Sequence, residues 1–270
     1  MVNIELSIII VDYKSQKYLL PLVFDLEKRL AHLKFEIIIV DNDPTSDSAS
    51  IFRQKFSDFN NVLVIKAEKN KGYGTGNNFG AKKARGKYLL LLNPDTEICD
   101  DTIEKMLDFL SKHSEIGALS PLIYQPDGEN LQDHFFANFQ SLAGTTIKRW
   151  QGKKADLSKK YFYAEMITGA AMMMRRDLYE KVGGFDENFF MYIEDDDLCR
   201  RISDLGYKNA VLTTAKIIHH EGKSSTSFEK KKYYYKSQDY YWQKHYGKLQ
   251  TTLMKMIRSP YILLQKMRRK

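Results

Sequence analysis

Short apolar runs alternate with amphipathic stretches through the first hundred residues. Leu6–Val11, Phe35–Val40, Val62–Ile65 and Tyr88–Leu92 are strand-like runs, rich in Ile, Val and Leu. Between them, residues 15–33, 47–58 and 74–85 have the character of helices. This alternation predicts an α/β fold, a Rossmann-like, mostly parallel sheet with flanking helices on both faces. Ligands of such sheets bind beyond the carboxyl ends of the strands. The residues just after each strand are therefore the first candidates for a site. They are Asp12-Tyr13, Asp41-Asn42-Asp43, the stretch from Lys69 to Asn78, and Asn93-Pro94-Asp95.

Further on, Ile103, Met106, Leu107 and Leu110 mark one face of a helix over 100–112. Residues 125–164 lose all periodicity and mix Gly, Asn, Gln and aromatics with basic pairs at Lys148-Arg149 and Lys153-Lys154. This is the pattern of a loop-rich segment, a common place for specificity. Regular structure resumes near Met166–Met174, and a strand is expected at Asn209–Leu212. Residues 226–270 read as a helical, aromatic and basic extension. No repeat or low-complexity linker interrupts the chain, so one domain over 1–225 with an appendage over 226–270 is the economical division.

Composition fits a folded protein: of 270 residues, 43% are hydrophobic and 28% charged. Cys99 and Cys199 form neither a disulfide framework nor a metal spacing, which suits a reducing cytosol. The N-terminus runs straight into a strand without a basic leader, so no signal peptide is expected. No apolar run reaches the ~18 residues of a membrane-spanning helix. The net charge of +8 is unevenly distributed. Residues 223–270 carry 13 Lys/Arg against 2 Asp/Glu, whereas the first 222 carry 29 against 32. That surplus points to an anionic partner at one end rather than to general nucleic-acid binding.

The densest chemistry is Glu194-Asp195-Asp196-Asp197. Leu198, Ile202 and Leu205 recur at helical spacing, which puts the four acids on a first helical turn, where negative charge is favoured. Arg200 and Arg201 stand four residues after Asp196 and Asp197, a stabilising spacing. Glu194 and Asp195 have no such local partner. Asp95, after a buried strand and a proline, is either a ligand for a hard cation or a turn and cap residue. Gly74, Gly76 and Gly80 read GxGxxxG, one residue longer than a dinucleotide fingerprint and after the third strand rather than the first. They serve either a phosphate or ribose or a tight turn. Asp41 can meet a nucleobase N–H, although Asp43 or Thr45 can equally cap the next helix. His219, at a strand end, suits a metal, a phosphate or a structural role.

Taken in order, five blocks resemble the inverting glycosyltransferases of family 2, which use the A-type nucleotide-sugar fold. They are LSIIIVDYKS (6–15), EIIIVDNDPTSDS (36–48), NKGYGTGNNFGAKKARGKYLLLLNPD (70–95), the stretch from Ile167 to Tyr207, and IIHHEGKSS (217–225). Within the family the likeness is to bacterial rhamnosyltransferase-type enzymes. The resemblance implies a donor-binding part over about 1–98 and an acceptor part over about 99–225. It implies that Asp12 and Asp41 flank the nucleotide, and that Gly72, Asn77 and Asn78 lie along the nucleotide-sugar. Asp95 holds Mg²⁺ or Mn²⁺ on the diphosphate, with Asn93 standing where many relatives have an acid. Gly169 and Ala170 lie near the sugars, and Asp195 is the general base with Glu194 in support. His219 stands beside the metal or diphosphate, with Ser224 nearby. The implied reaction moves L-rhamnose from dTDP-L-rhamnose to a polyprenyl-diphosphate-linked saccharide. It belongs to surface polysaccharide synthesis at the cytoplasmic face of the bacterial plasma membrane.

Three rival functions are a UDP-sugar transferase of the same fold, an NAD-dependent oxidoreductase and a non-catalytic partner subunit. In the tail, Leu249, Leu253, Met256, Leu264 and Met267 recur at helical spacing among basic residues. Such a helix lies in a membrane interface, packs on the domain or pairs two subunits as a homodimer. Pro260 is expected to kink or split it. No nucleic-acid motif accompanies the basic residues, so no nucleic-acid partner is expected.

Overall fold

A computed structural model describes residues 4–142, 155–220 and 227–267, with side chains for all but 227–230 and 261–267. The basic pairs at 148–149 and 153–154, Ser224, Arg268 and the side chains of Leu264 and Met267 lie outside the described residues. Four strands form where the apolar runs fall: β1 (Leu6–Asp12), β2 (Phe35–Asp41), β3 (Val62–Lys66) and β4 (Tyr88–Leu92). The helices between them are α1 (Gln16–Arg29), α2 (Ser48–Lys55) and α3 (Tyr73–Ala81). Every residue of β1, β2 and β4 is buried, as a parallel sheet covered on both faces requires.

The second half adds β5 (Thr96–Ile98), α4 (Thr102–Lys112), β6 (Ile116–Tyr124), β7 (Phe136–Ala137), β8 (Tyr161–Ala164), β9 (Met166–Ile167) and β10 (Ala171–Arg175). Then come α5 (Arg176–Val182), α6 (Glu194–Asp204), β11 (Lys208–His219) and α7 (Ser227–Met267). The main sheet runs β3-β2-β1-β4-β10-β6-β11-β5, with β8 alongside β11. β1 pairs parallel with both β2 and β4, so strand order reverses at β1 and opens a crevice beyond the ends of β1 and β4. β10 runs antiparallel between β4 and β6. β11, much longer than the 209–212 stretch expected, is parallel to β6 and antiparallel to β5.

The glycines between β3 and β4 serve close packing. A Cβ on Gly76 would meet Val11 at 2.8 Å, and one on Gly80 would meet Ile9 at 2.6 Å, so α3 lies tight on the sheet. Gly72 has φ 101° and ψ 176°, a region open essentially to glycine alone. Its missing side chain admits the Phe190 carbonyl, 1.9 Å from where a Cβ would stand. Tyr73 N–H donates to that carbonyl at 3.2 Å. The glycine loop and the segment before the acidic helix are thus locked together.

The C-terminal helix breaks at Gly247 (φ 82°, ψ 174°) and not at Pro260, which corrects the sequence expectation. Glycine alone adopts that backbone conformation readily, and Thr251 Oγ1 donates to the Gly247 carbonyl at 2.8 Å. Pro260 removes only the bond to the carbonyl of Met256, a residue 64% exposed, where water can serve it. Beyond the break the helix folds back: Arg258 reaches Gln238 (2.7 Å) and Asp239 (2.8 Å). Tyr241, Trp242 and Met254 form a second small core with Phe189 and Ile193. Packing on the body therefore accounts for the first part of the extension.

Gly72→Ala should destabilise the protein by at least about 1–3 kcal/mol, the cost of holding a side chain in that backbone region, before the clash with Phe190 is counted. Thermal or urea unfolding measures this. An unchanged midpoint would mean that the two segments are not in contact.

Candidate active site

A cleft of about 540 Å³ opens where the strand order reverses. Val11, Tyr13 and Ser15 line it from the end of β1, and Asn93, Pro94 and Asp95 from the end of β4. Asn42, Asn70 and Gly72 form a third side. Gln132, Thr168, Gly169, Ala170, His219 and the stretch Met191–Asp196 close the remainder. The antiparallel register His219↔Thr96 brings His219 beside Asp95, and Asn93 N–H to Ala170 O (2.9 Å) brings the 169–170 turn beside Asn93.

At one end, His219 Nε2 lies 3.3 Å from Asp95 Oδ1 and 3.3 Å from Asn93 Nδ2. Its Nδ1 lies 3.0 Å from Gln132 Oε1. An imidazole that donates from Nδ1 to the Gln132 carbonyl oxygen presents an unprotonated Nε2 beside the Asp95 carboxylate. Two electron-rich donors side by side, one oriented by an outer hydrogen bond, suit a divalent cation such as Mn²⁺ or Mg²⁺. Among the described residues there is no group of three or more His, Cys, Asp or Glu that could hold a metal. Asp95 and His219 thus fit a cation as a two-residue anchor that leaves its other positions to substrate oxygens.

At the other end the four acids begin α6, and burial separates them. Glu194, Asp196 and Asp197 are buried, whereas Asp195 keeps partial exposure and lines the cleft. Asp195 Oδ2 accepts from Gly169 N–H at 3.2 Å, and its Oδ1 from Asp196 N–H at 3.0 Å. Burial pushes the Glu194 carboxyl up to about 8, and the charges of Asp195 and Asp196 push the same way. Glu194 Oε2 has no hydrogen-bond partner. Burial and the two neighbouring carboxylates thus favour the protonated form of Glu194. Tyr73 stands in the same buried surroundings and donates from its hydroxyl to Gly169 O at 2.6 Å. Burial, and then the Glu194 charge, raise its phenol well above the usual range.

Asp197 is fully buried, which alone would raise its carboxyl. His245, Arg201 and Lys244 reverse that and hold it low. His245 Nε2 and Lys244 Nζ lie 2.8 and 2.7 Å from Oδ1, and Arg201 Nε donates to Oδ2 at 2.8 Å. The spacing rule anticipated Arg201 alone. The expected Asp196–Arg200 pairing is not made: Arg200 turns to Asp204 (3.4 Å) and to the Tyr246 hydroxyl (3.3 Å). The backbone before the helix is strained, with Tyr192 at φ 67° and Ile193 at φ 70°, the latter rare for a β-branched residue.

The structure brings Gly72, Asn93, Asp95, Gly169, Ala170, Glu194, Asp195 and His219 together around the cleft. It places four candidates elsewhere. Asp41 is fully buried, and its oxygens accept from the N–H groups of Asp43 (3.1 Å) and Ala49 (3.0 Å), so it secures the turn into α2. Asp12 sits just behind the cleft wall, accepting from Ser15 N–H at 3.1 Å while its Oδ2 has no partner. Burial, then Asp41 and Asp43, raise its carboxyl to about 6. Asn77 donates to the Tyr73 carbonyl within α3. Asn78 faces away from the cleft: it donates to Phe185 O and accepts from the Tyr179 hydroxyl and Phe185 N–H, tying α3 to the turn after α5. A helix face turned inward to the core explains both placements. Gln132 lines the cleft without having been singled out from the sequence, whereas Asn42 and Asn70 belong to the stretches after β2 and β3 already marked as candidates. Asn42 donates to Asn70 Oδ1 and Gly72 O, so its place after β2 was the available signal.

Residues 7–183 match the family model for glycosyl transferase family 2, and the chain belongs to that family of glycosyltransferases. Residues 149–224 also match the model described as the N-terminal domain of galactosyltransferase. The chain is 26% identical over 227 residues to the N-acetylglucosaminyl-diphospho-decaprenol L-rhamnosyltransferase of Mycobacterium tuberculosis, covering 74% of this chain and 73% of that one. It is 27% identical to the rhamnosyltransferase WbbL of Escherichia coli K12, covering 82% and 85%. Among solved structures, GalNAc-T7 with UDP, GalNAc and Mn²⁺ superimposes with a TM-score of 0.62 at 16% identity, covering 89% of this chain and 50% of that one. A mannosyltransferase from Pyrobaculum calidifontis with GDP-Man and Mn²⁺ gives 0.60 at 16% identity, covering 83% and 59%. These likenesses establish the A-type glycosyltransferase fold, and the chain spans only half to three fifths of those structures.

Because the folded Glu194 carboxyl titrates above its unfolded value, folding takes up a proton between about pH 4.5 and 8, and stability falls as pH rises through that window. Glu194→Gln removes the slope. Its melting temperature should gain on that of the wild type steadily from about pH 5 to 8, by several degrees at the upper end. Parallel curves would mean that Glu194 is ionised in the fold.

Proposed function

We propose that the protein is an inverting transferase that moves a hexose from a nucleotide diphosphate to a polyprenyl-diphosphate-linked saccharide. L-rhamnose from dTDP-L-rhamnose is the donor to test first. One observation carries the reading: the single accessible acid of the acidic turn shares a cleft with an Asp–His pair suited to a cation. The names of the mycobacterial and Escherichia coli relatives support the rhamnosyl donor, and the former supports a diphospho-polyprenol acceptor.

In this mechanism Asp195 accepts the proton of the acceptor hydroxyl as its oxygen attacks the anomeric carbon. The C–O bond to the diphosphate breaks on the opposite face, so configuration inverts. Asp95 and His219 would hold a divalent cation at the diphosphate end, where it would neutralise the charge building on the leaving group. A protonated Glu194, which its burial favours, spares Asp195 a second charge in contact. Gly169 N–H orients the Asp195 carboxylate toward the acceptor.

The reading extends to the tail. Leu249 (76% exposed), Leu253, Met256 and Ile257 share one outward face of the folded-back helix, opposite the buried Thr251 and Met254. With the basic surplus nearby, that face suits peripheral binding to an anionic bilayer. No helix among the described residues is long and apolar enough to cross a membrane.

Asp195→Asn should lower transfer at least about a hundredfold while nucleotide-sugar affinity persists. Retained turnover would remove it as the base. Calorimetry with Mn²⁺ and dTDP-L-rhamnose should find metal-dependent binding lost in Asp95→Ala; unchanged affinity would count against the cation anchor. Paired Leu249→Glu and Met256→Glu changes should reduce sedimentation with anionic liposomes on the order of tenfold, leaving the fold intact. Undiminished binding would leave that face to a second copy of the chain.

A further inference from the structure

Both family-model matches end before helix α7 begins, at residues 183 and 224. Even so, Tyr234 of that helix lines the cleft. Its ring lies 6.4 Å from that of Tyr192, centre to centre, at 58°. Tyr192 is one of the two left-handed residues immediately before Glu194. One residue earlier, Ser237 Oγ of α7 donates to Met191 O at 2.8 Å, and Phe190 packs against Tyr233 at 4.8 Å. The helix thus holds the strained turn from which Tyr192 projects.

It also holds the facing wall. Trp242 Nε1 (3.0 Å) and Gln238 Nε2 (3.1 Å) donate to Gln140 Oε1, and the Tyr246 hydroxyl donates to Gln140 O. Gln140 follows the segment that contributes Gln132 and Phe135 to the cleft. The two tyrosines therefore sit between walls that α7 pins at several points. Tyr192 stands three residues before Asp195 on the same stretch of the cleft wall.

Chemistry decides what belongs there. The base must touch the attacking hydroxyl, so the space beside Asp195 is the acceptor's. A pyranose has an apolar C–H face and a polar rim, and a tyrosine ring offers a flat apolar surface with a hydroxyl at its tip. We propose that Tyr234 and Tyr192 form the acceptor subsite, a platform for the sugar ring that bears the attacked hydroxyl, so that α7 is part of the active site. This rests on the transferase reading above. It extends the acceptor side beyond residue 225, to a helix whose outer face suits a membrane carrying the lipid-linked acceptor.

Two measurements on the full chain test it. The first uses a short-chain N-acetylglucosaminyl diphospholipid as the varied acceptor at saturating dTDP-L-rhamnose. Tyr234→Ala and Tyr234→Leu should raise acceptor KM about tenfold with donor KM unchanged, and Tyr234→Phe should stay near wild type. The leucine variant keeps most of the bulk should the alanine variant fail to fold. An acceptor KM within about twofold of wild type in a folded variant overturns the platform, as does an equal rise in donor KM. The second measures binding of the same glycolipid without donor, by tryptophan fluorescence. Weaker binding in the variants supports the platform even if the donor is another nucleotide sugar. Equal binding, or none to wild type, overturns it. A wild type that binds the glycolipid but transfers to it from no nucleotide sugar would sink the transferase reading alone.

Discussion

Four carboxylates on one helical turn cannot all be ionised without compensation, and the active end of this protein is organised around that constraint. Asp197 takes three basic partners, Arg201, Lys244 and His245, two of them from the C-terminal helix. Glu194 is driven into the interior, where burial favours its protonated form. Asp195 remains the acid with access to the cleft. A run of similar side chains is thereby sorted, with Asp197 as an anchor and Asp195 as the most exposed of the four. The sorting is done by burial, since the local sequence treats the acids alike.

The same constraint explains why the C-terminal helix cannot be a loose appendage. Lys244 bridges Asp197 and Asp186, each at 2.7 Å, and His245 adds to the former. Against burial, Lys244 and its neighbours hold Asp186 at about 2. The bonds to the fully buried Asp197 are costly to break singly, because its charge would be left uncompensated. The strained residues at 192 and 193 persist because Gly72 lets Phe190 approach on one side and Ser237 grips Met191 on the other. Backbone strain of this kind survives only where its surroundings over-determine it.

Much of the donor half was legible in the sequence. Apolar runs of Ile, Val and Leu can only be buried strands at that length, so β1 to β4 and their helices fall where the pattern put them. Asp95, His219 and Asp195 could be singled out because each stands at an element boundary. Asn77 and Asn78 fall on the inner face of their helix because the glycines beside them turn that face to the core. Asp41 was read toward a base, yet the tight turn into α2 needs its oxygens. Gly247 outweighed Pro260 because a reversal needs a backbone angle that only glycine adopts cheaply, whereas a proline on an exposed face loses one hydrogen bond. Gln132 was invisible, because it lies in an aperiodic loop.

The central claim is that Asp195 drives a single displacement at an anomeric carbon, with the Asp95–His219 pair on the departing side. The configuration of the product tests it most directly. Proton and carbon NMR of the glycolipid product, made from a nucleotide sugar of known anomeric configuration, should show the opposite configuration at the new linkage. A product that retains the donor's configuration would contradict the account.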